Sequence, residues 1–243
     1  EFDVLVLALG GASWPRLGSD GHWINILRDK GIHVESFRPA NCGFTHEWSP
    51  VFQDKFSGVP LKSIRLTHGD MSVVGEAMIS RGGIEGSAIY ALSKFLRQTI
   101  ERDGKALLLL DLKPDMSFEK LVTILSAPRG RESLSNFLRK SVHLPAVSIG
   151  LLQEDRGLSA LSPQDLALRI KKYAVELTGT SGLERAISSA GGIALDELDE
   201  SFQLKKWPGV YAIGEMLDWE APTGGYLLQA TFSMAVYLGG RLG

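Results

Sequence analysis

GVYAIGEMLDWEAPTGGYLLQA, residues Gly209 to Ala230, is the stretch from which the rest of the chain is read. A short apolar strand, Val210 to Ile213, ends on Gly214-Glu215. An acidic and aromatic loop follows, then Pro222-Thr223-Gly224-Gly225, then a long apolar run from Tyr226 to Leu238 that predicts a helix. Strand, glycine turn and glycine-opened helix is an arrangement that brings backbone close to a dinucleotide. The free N–H groups and dipole of a helix start attract a pyrophosphate, and glycine leaves room for it. An acid at the strand end is placed to accept from sugar or ribityl hydroxyls. A helix apolar nearly all round is expected to lie buried against a sheet, as a ligand helix or as a tightly packed core helix.

Similar texture appears at the start of the chain. Val4 to Leu9 is a continuous aliphatic run, which predicts a strand covered on both faces as in parallel α/β sheets. It runs into Gly10-Gly11-Ala12-Ser13-Trp14-Pro15, a loop suited to a ligand or to a plain turn. His22 to Lys30 predicts a short helix with Trp23, Ile26 and Leu27 on one face and Gly31 as its C-cap. From Glu184 onward the same texture returns in ISSAGGIALDEL, a strand-like segment with the glycine pair Gly191-Gly192. Phe202 to Leu204 is a further strand candidate.

Between these ends the pattern differs. Ile32 to Val74 carries short β-prone segments broken by Pro39, Pro50, Gly58, Pro60 and Gly69, which predicts a small antiparallel or barrel-like unit. Ile89, Leu92, Phe95, Leu96 and Ile100 stand at helical spacing up to Gly104, and Ala106 to Leu112 predicts a strand. Ser117 predicts the N-cap of a helix bearing Phe118, Leu121, Val122 and Leu125, and Ser133 to Lys140 a further short one. Ser162-Pro163-Gln164-Asp165 starts another, with Leu166, Ile170, Tyr173, Ala174 and Leu177 on one face and Gly179 as its end. Arg169, Lys171 and Lys172 fall on its solvated side.

Composition excludes little but directs the search. Hydrophobic residues at 44% and charged ones at 22% are ordinary for a globular protein, and a net charge of −2 gives no reason to expect nucleic acid or membrane as partner. The lone Cys42 fits a reducing, cytoplasmic setting. Cys42, His46 and Trp48 cluster without metal-ligand spacing, so no metal is expected. There is no G-x-S-x-G elbow and no P-loop. At 243 residues the chain allows one large domain or two interleaved ones.

Taken together, ALGGASWPRLGSDG, SRGGIEGSAIYALS, SSAGGIALDELDE and the opening stretch resemble a family of bacterial FAD-dependent flavoproteins. These are NAD(P)/FAD-dependent oxidoreductases that include BaiN-like proteins and aminoacetone oxidase. The resemblance implies an α/β fold: a Rossmann-like FAD-binding domain, incomplete here, interrupted by an inserted β-barrel plus helical domain. The expected division is residues 1–32 and 185–243 for the FAD-binding parts and 33–184 for the insertion. It further implies FAD bound by Ala8, Gly10, Gly11, Ser13, Gly214, Glu215, Thr223, Gly224, Gly225 and Tyr226. Gly83 to Ser87 is implied as a loop near the flavin, with His46 and Tyr226 as candidate flavin neighbours and Asp218, Trp219 and Glu220 at a substrate mouth or in a solvated turn.

The activity implied is flavin-mediated hydride or electron transfer to or from a small organic substrate, with NAD(P)H as a possible electron donor and no catalytic side chain singled out. One departure stands out. Relatives open with a strand, G-x-G-x-x-G and a helix for the ADP half of FAD, and this chain instead starts at Glu1 next to an aliphatic strand. That suggests a preceding segment, whose absence would leave the edges of Val4–Leu9 and Val210–Ile213 exposed. The alternative is a non-catalytic binding or scaffold protein that no longer holds FAD.

Overall fold

The computed structural model describes residues 2–243 and divides into two compact units. The first is discontinuous, residues 1–42 with 181–243, and the second is residues 43–180. The divisions therefore fall at Cys42–Gly43 and Thr180–Ser181. They differ from 32–33 and 184–185 because the strand after residue 33 pairs inside the first unit.

In chain order the first unit opens with strand β1 (Leu5–Leu7), helix α1 (Trp23–Asp29) and strand β2 (Val34–Ala40). Trp23 and Leu27 of α1 are buried, but Ile26 points outward at 64% exposure, a correction to the expected face. The second unit follows. Strand β3 (Phe44–Thr45) leads to helix α2 (Pro50–Phe56), which periodicity missed although its N-cap is regular. Ser49 Oγ accepts from Phe52 N, and Pro50 takes the first position, where no N–H is needed. Strands β4 (Pro60–His68), β5 (Met71–Ser80) and β6 (Gly83–Glu85) come next, then helix α3 (Ser87–Asp103) and strand β7 (Ala106–Asp111). Ala88, Ile89, Leu92 and Leu96 bury the inner face of α3, while Phe95 remains 38% exposed.

Helices α4 (Phe118–Leu125), α5 (Leu134–Phe137), α6 (Ala146–Gln153) and α7 (Pro163–Lys171) form the helical part, with one π-helical turn at Leu138–Val142. Ser117 Oγ accepts from Lys120 N and Ser162 Oγ from Asp165 N, the caps expected from sequence. Helix α7 stops at Lys171, however. Tyr173 to Leu177 forms strand β8 (Tyr173–Leu177), alternating buried and exposed, and Gly179 belongs to strand β9 (Gly179–Thr180) rather than to a helix end. The alternation has period two, and the open edge of β7 claims the segment from Leu110↔Tyr173 to Ala106↔Leu177.

The sheet order is β8-β7-β4-β5-β6-β3-β9. Its two outermost strands are successive in the chain, so the sheet has curled round on itself. Thr178 N donates to Thr45 O at 3.1 Å, and His46 Nδ1 lies 2.7 Å from Glu176 O, joining the two ends. His46 also meets Trp48 edge-on at 4.1 Å. Phe44, Leu61, Ile64, Leu66, Ile79, Ile84 and Leu108, all fully buried, fill the interior. This is the barrel with attached helices that the resemblance implies, on a mixed α/β chain. No helix among the described residues is long and apolar enough to cross a membrane.

The chain then re-enters the first unit with strand β10 (Ser188–Ile193), antiparallel to β2, and strand β11 (Val210–Ala212), parallel to β1. Phe202 to Leu204 contributes only isolated bridges, through Leu204 and Gln203. Helix α8 (Tyr226–Leu242) closes the chain. The core gathers Trp23, Leu27, Val34, Ile193, Leu204, Ala212, Met216 and Leu217. Two expectations of burial are corrected. Leu5 of β1 is 50% exposed, and α8 exposes Leu228, Phe232 and Val236, because only its Met234 and Leu238 side turns inward. Within this unit a helix apolar on every side finds partners on one side only.

Glu197 ties this unit together. Its Oε1 accepts from His33 N at 3.0 Å and from Lys206 Nζ at 2.8 Å. The Lys206 ammonium, then the His33 N–H, hold its carboxyl below its ordinary value against the opposing effect of burial. A depressed carboxylate contributes stability above its unfolded pKa and loses it as pH falls through the folded value. Glu197→Gln is expected to cost about 1–2 kcal/mol at pH 7. The gap to wild type should close on acidification below pH ~4. Thermal unfolding of both proteins across pH checks this, and a gap that ignores pH would remove the charge from the explanation.

Candidate functional site

Strands β1 and β11 run parallel, pairing Leu5 with Val210 and Leu7 with Ala212, so their C-terminal ends open on the same edge. In open parallel sheets that edge is where ligands bind. Ile213 N donates to Leu7 O at 3.0 Å, and Leu9 N approaches Met216 Sδ at 3.4 Å. These contacts set the two turns, Ala8–Ser13 and Gly214–Glu215, side by side.

The junction is built on a serine that the sequence reading gave no role. Ala12 N donates to Ser189 Oγ at 2.9 Å, and Ser189 N donates to Glu215 Oε1 at 2.9 Å, with Ser189 Oγ 3.4 Å from the same oxygen. Gly11 sits against this pair. A Cβ there would overlap Ser189 Oγ and come within 2.9 Å of the Glu215 carboxyl carbon, so any larger residue would have to displace this pair. Glu215 Oε2 has no hydrogen-bond partner among the described residues and remains available. Next to it, Asn41 Nδ2 donates to Ser188 Oγ and to Ala221 O, both at 2.8 Å, which pins the loop just before Pro222. The signal for these buried polar residues was the Ser188-Ser189 pair preceding Gly191-Gly192, but its partners lie far off in sequence.

Of the expected site residues, Gly11 and Glu215 are in contact, and Gly10 O receives Trp23 Nε1 at 3.2 Å. Gly214, at φ 84°, takes Trp219 Nε1 on its carbonyl oxygen at 2.9 Å, so Trp219 is a packing residue of this turn. A Cβ on Gly214 would stand 3.4 Å from Thr231 Cγ2 of α8, which brings that helix against the turn. Ala8 is exposed just beyond β1, and Ser13 is buried with no side-chain partner recorded among the described residues.

Thr223, Gly224, Gly225 and Tyr226 form the entry to α8. No hydrogen bond joins them to the Gly11–Glu215 junction among the described residues. Gly224 and Gly225 have φ of 116° and 89°, and no side chain caps the helix. A Cβ on Gly225 would meet open space, and Tyr226 is 61% exposed. The first N–H groups of this 17-residue helix therefore lack both an intrahelical acceptor and a side-chain cap among the described residues.

Gly83 to Ser87 is not a loop. It is β6 and the start of α3, where Trp48 Nε1 donates to Gly83 O at 2.8 Å. Lys171 is not solvated either. At 18% side-chain exposure its Nζ pairs with Asp111 Oδ2 at 2.6 Å and donates to the carbonyls of Lys113 and Met116, locking α7 to β7. Among the described residues no group of His, Cys, Asp and Glu side chains could hold a metal ion.

Comparison with known proteins adds three relatives. The chain is 27% identical over 242 residues to the ribosomal RNA dihydrouridine synthase of Escherichia coli, covering 95% of this chain and 58% of that protein. It is 24% identical to the Haemophilus influenzae protein of the same name, over 95% of the chain and 58% of the relative. It is 23% identical to the 3-dehydro-bile acid delta(4,6)-reductase of Clostridium scindens, over 98% of the chain and 61% of the relative. The chain thus spans about three fifths of the length of these curated relatives. Residues 38–188, more than half of the chain, match the family described as HI0933-like protein barrel and H2TH domain, and the protein belongs to that family.

Proposed function

We propose that the protein is a flavin-dependent reductase that saturates a carbon–carbon double bond conjugated to a carbonyl group. The observation that carries this is the chemistry shared by its relatives' names. Dihydrouridine is uridine whose C5=C6 bond, conjugated to the C4 carbonyl, has gained two hydrogens. A delta(4,6)-reductase of a 3-dehydro bile acid saturates double bonds in line with a C3 carbonyl. A pyrimidine base and a steroid have little else in common.

FAD is the cofactor assigned here, with NAD(P)H as electron donor. The residues present fit it on two counts. A glycine packed tightly against Ser189 adjoins a carboxylate with one free oxygen, and an uncapped helix start stands open behind two glycines. When bound, FAD in its reduced form would supply hydride to the electron-poor alkene carbon, and a proton from solvent would complete the saturation at the neighbouring carbon. Glu215, held by Ser189, would accept from ribityl hydroxyls. The α8 start, with Thr223, Gly224, Gly225 and Tyr226, would receive the pyrophosphate on backbone N–H groups. Gly10 and Gly11, flanked by Ala8 and Ser13, would leave room for the cofactor at the end of β1.

Gly225→Asp tests the assignment. It sets a carboxylate where phosphate should lie, and at φ 89° it adds strain of about 1 kcal/mol. Flavin absorbance retained after incubation with FAD and desalting is expected to fall from near-stoichiometric to background. Flavin content equal to wild type would remove the helix start from the site, and a wild-type chain that takes up no FAD would overturn the whole assignment.

A further inference from the structure

The turn after β1 continues into a cation that has no role in holding the cofactor. The guanidinium carbon of Arg16 lies 4.7 Å from the centre of the Trp14 ring. Trp14 is itself a backbone outlier, at φ 61° and ψ 58°. A left-handed conformation is unfavourable for a bulky residue, and it persists where the surroundings fix it, often at ligand sites. Three hydrogen bonds fix it here. Ala12 N donates to Ser189 Oγ at 2.9 Å, Trp14 N to Leu183 O at 3.2 Å, and Leu17 N to Trp14 O at 2.9 Å. The first of these belongs to the Gly11–Ser189–Glu215 junction, so the Trp14–Arg16 pair is anchored two residues from it.

The other cations of this unit are occupied or remote. Arg28 donates to Val34 O, Lys205 to Asp196 O and Lys206 to Glu197, while Arg241 lies over Tyr237. Arg38 and Arg185 are engaged as well. Lys30 follows α1, at the end away from this turn. Arg16 is exposed, and among the described residues no carboxylate or carbonyl oxygen accepts from it. Asp20, the nearest acid in sequence, is taken up by His22, whose N donates to Oδ1 at 3.0 Å and whose Nδ1 lies 3.0 Å from Oδ2. Ser13, buried at 8% exposure, also keeps its hydroxyl without a partner among the described residues. One turn therefore holds a charged and a neutral donor, both available.

We propose that Arg16, held over Trp14, binds the carbonyl oxygen of the substrate and takes the charge that develops there. This role rests on the reductase reading and deepens it, by naming the group that recognises the conjugated carbonyl. As hydride adds to the far carbon of the double bond, the π electrons shift through the conjugated system onto the carbonyl oxygen. The resulting enolate is quenched by a proton from solvent at the carbon next to the carbonyl. Donors fixed where such charge develops lower the barrier. A guanidinium offers its N–H groups in a rigid fork and stacks on aromatic rings, so Trp14 sets its plane before substrate arrives. Glu215, the charged group of the junction, only accepts when ionised and cannot take this part. Arg16 is thus a catalytic residue and Trp14 a positioning residue.

The experiment titrates FAD-loaded protein with 4-nitrophenolate, whose anionic oxygen on a flat conjugated ring stands in for the enolate. Wild type is compared with Arg16→Ala, Arg16→Lys, Trp14→Leu, Trp14→Phe and the control Lys30→Ala, and flavin content, measured on each, should equal wild type. Arg16→Ala is expected to bind the anion about tenfold to a hundredfold more weakly, and Arg16→Lys to recover part of the loss. Trp14→Leu should weaken binding about threefold alone and not at all in the Arg16→Ala background, while Trp14→Phe and Lys30→Ala bind as wild type does. With NADPH and 2-cyclohexen-1-one, Arg16→Ala should slow flavin reoxidation about a hundredfold and leave flavin reduction unchanged. A wild type that takes up no FAD overturns the reductase reading and this role with it. FAD uptake with undiminished 4-nitrophenolate binding by Arg16→Ala, or with no binding by wild type, overturns this role alone. An equal loss from Trp14→Leu with and without Arg16 overturns the positioning by Trp14.

Discussion

Gly83→Ala is expected to destabilise the barrel by about 3–5 kcal/mol, lowering Tm by on the order of 10 °C. A methyl group at this position would overlap the Phe44 carbonyl oxygen and stand 2.9 Å from Thr45 Cα. Both are backbone, so no rotamer change relieves the contact. Strands β3 and β6 would have to separate, and they carry the fully buried Phe44 and Ile84 and the carbonyl that accepts Trp48 Nε1. Gly82→Ala is the control one residue away: a Cβ there meets open space and should change stability by less than about 1 kcal/mol. Equal losses in the two variants would refute the close-approach argument.

Gly192→Ala is expected to have a comparable effect in the other unit and to reach the candidate site as well. Gly192 has φ 125°, and a Cβ would overlap the Met216 carbonyl oxygen and lie 2.8 Å from the Leu217 carbonyl. The turn that would have to yield is the one bearing Glu215, while Ser189, which holds Glu215, lies on the same strand as Gly192. A loss of about 3–5 kcal/mol, together with loss of FAD retention, is therefore predicted. Gly31→Ala isolates the dihedral contribution, since Gly31 is also left-handed at φ 79° but its Cβ would be unobstructed. It should cost about 1 kcal/mol and leave flavin uptake intact. Denaturant unfolding with flavin absorbance on the same samples separates the two effects, and a Gly192→Ala protein as stable as Gly31→Ala would refute the packing argument.

Features that depend on a few neighbouring residues were legible in the sequence. The caps at Ser117 and Ser162 follow from a side-chain oxygen three residues from an orphan N–H. The buried face of α3 follows from a period of 3.6. The pairing of Gly214-Glu215 with a strand end was legible for the same reason. Features that depend on what the segment meets were not. Tyr173, Ala174 and Leu177 fit a helical face, and the open edge of β7 decides that they form a strand. Lys171 reads as solvated until Asp111 and two carbonyls from other segments surround it. Tyr226–Leu238 reads as a buried helix, yet burial requires partners, and the first unit supplies them on one side alone. Ser189 and Glu215 stand 26 residues apart. Helix capping and apolar periodicity act over one or two turns of chain and are written locally, whereas carboxylate anchoring and close backbone approach arise only where folding brings distant segments together.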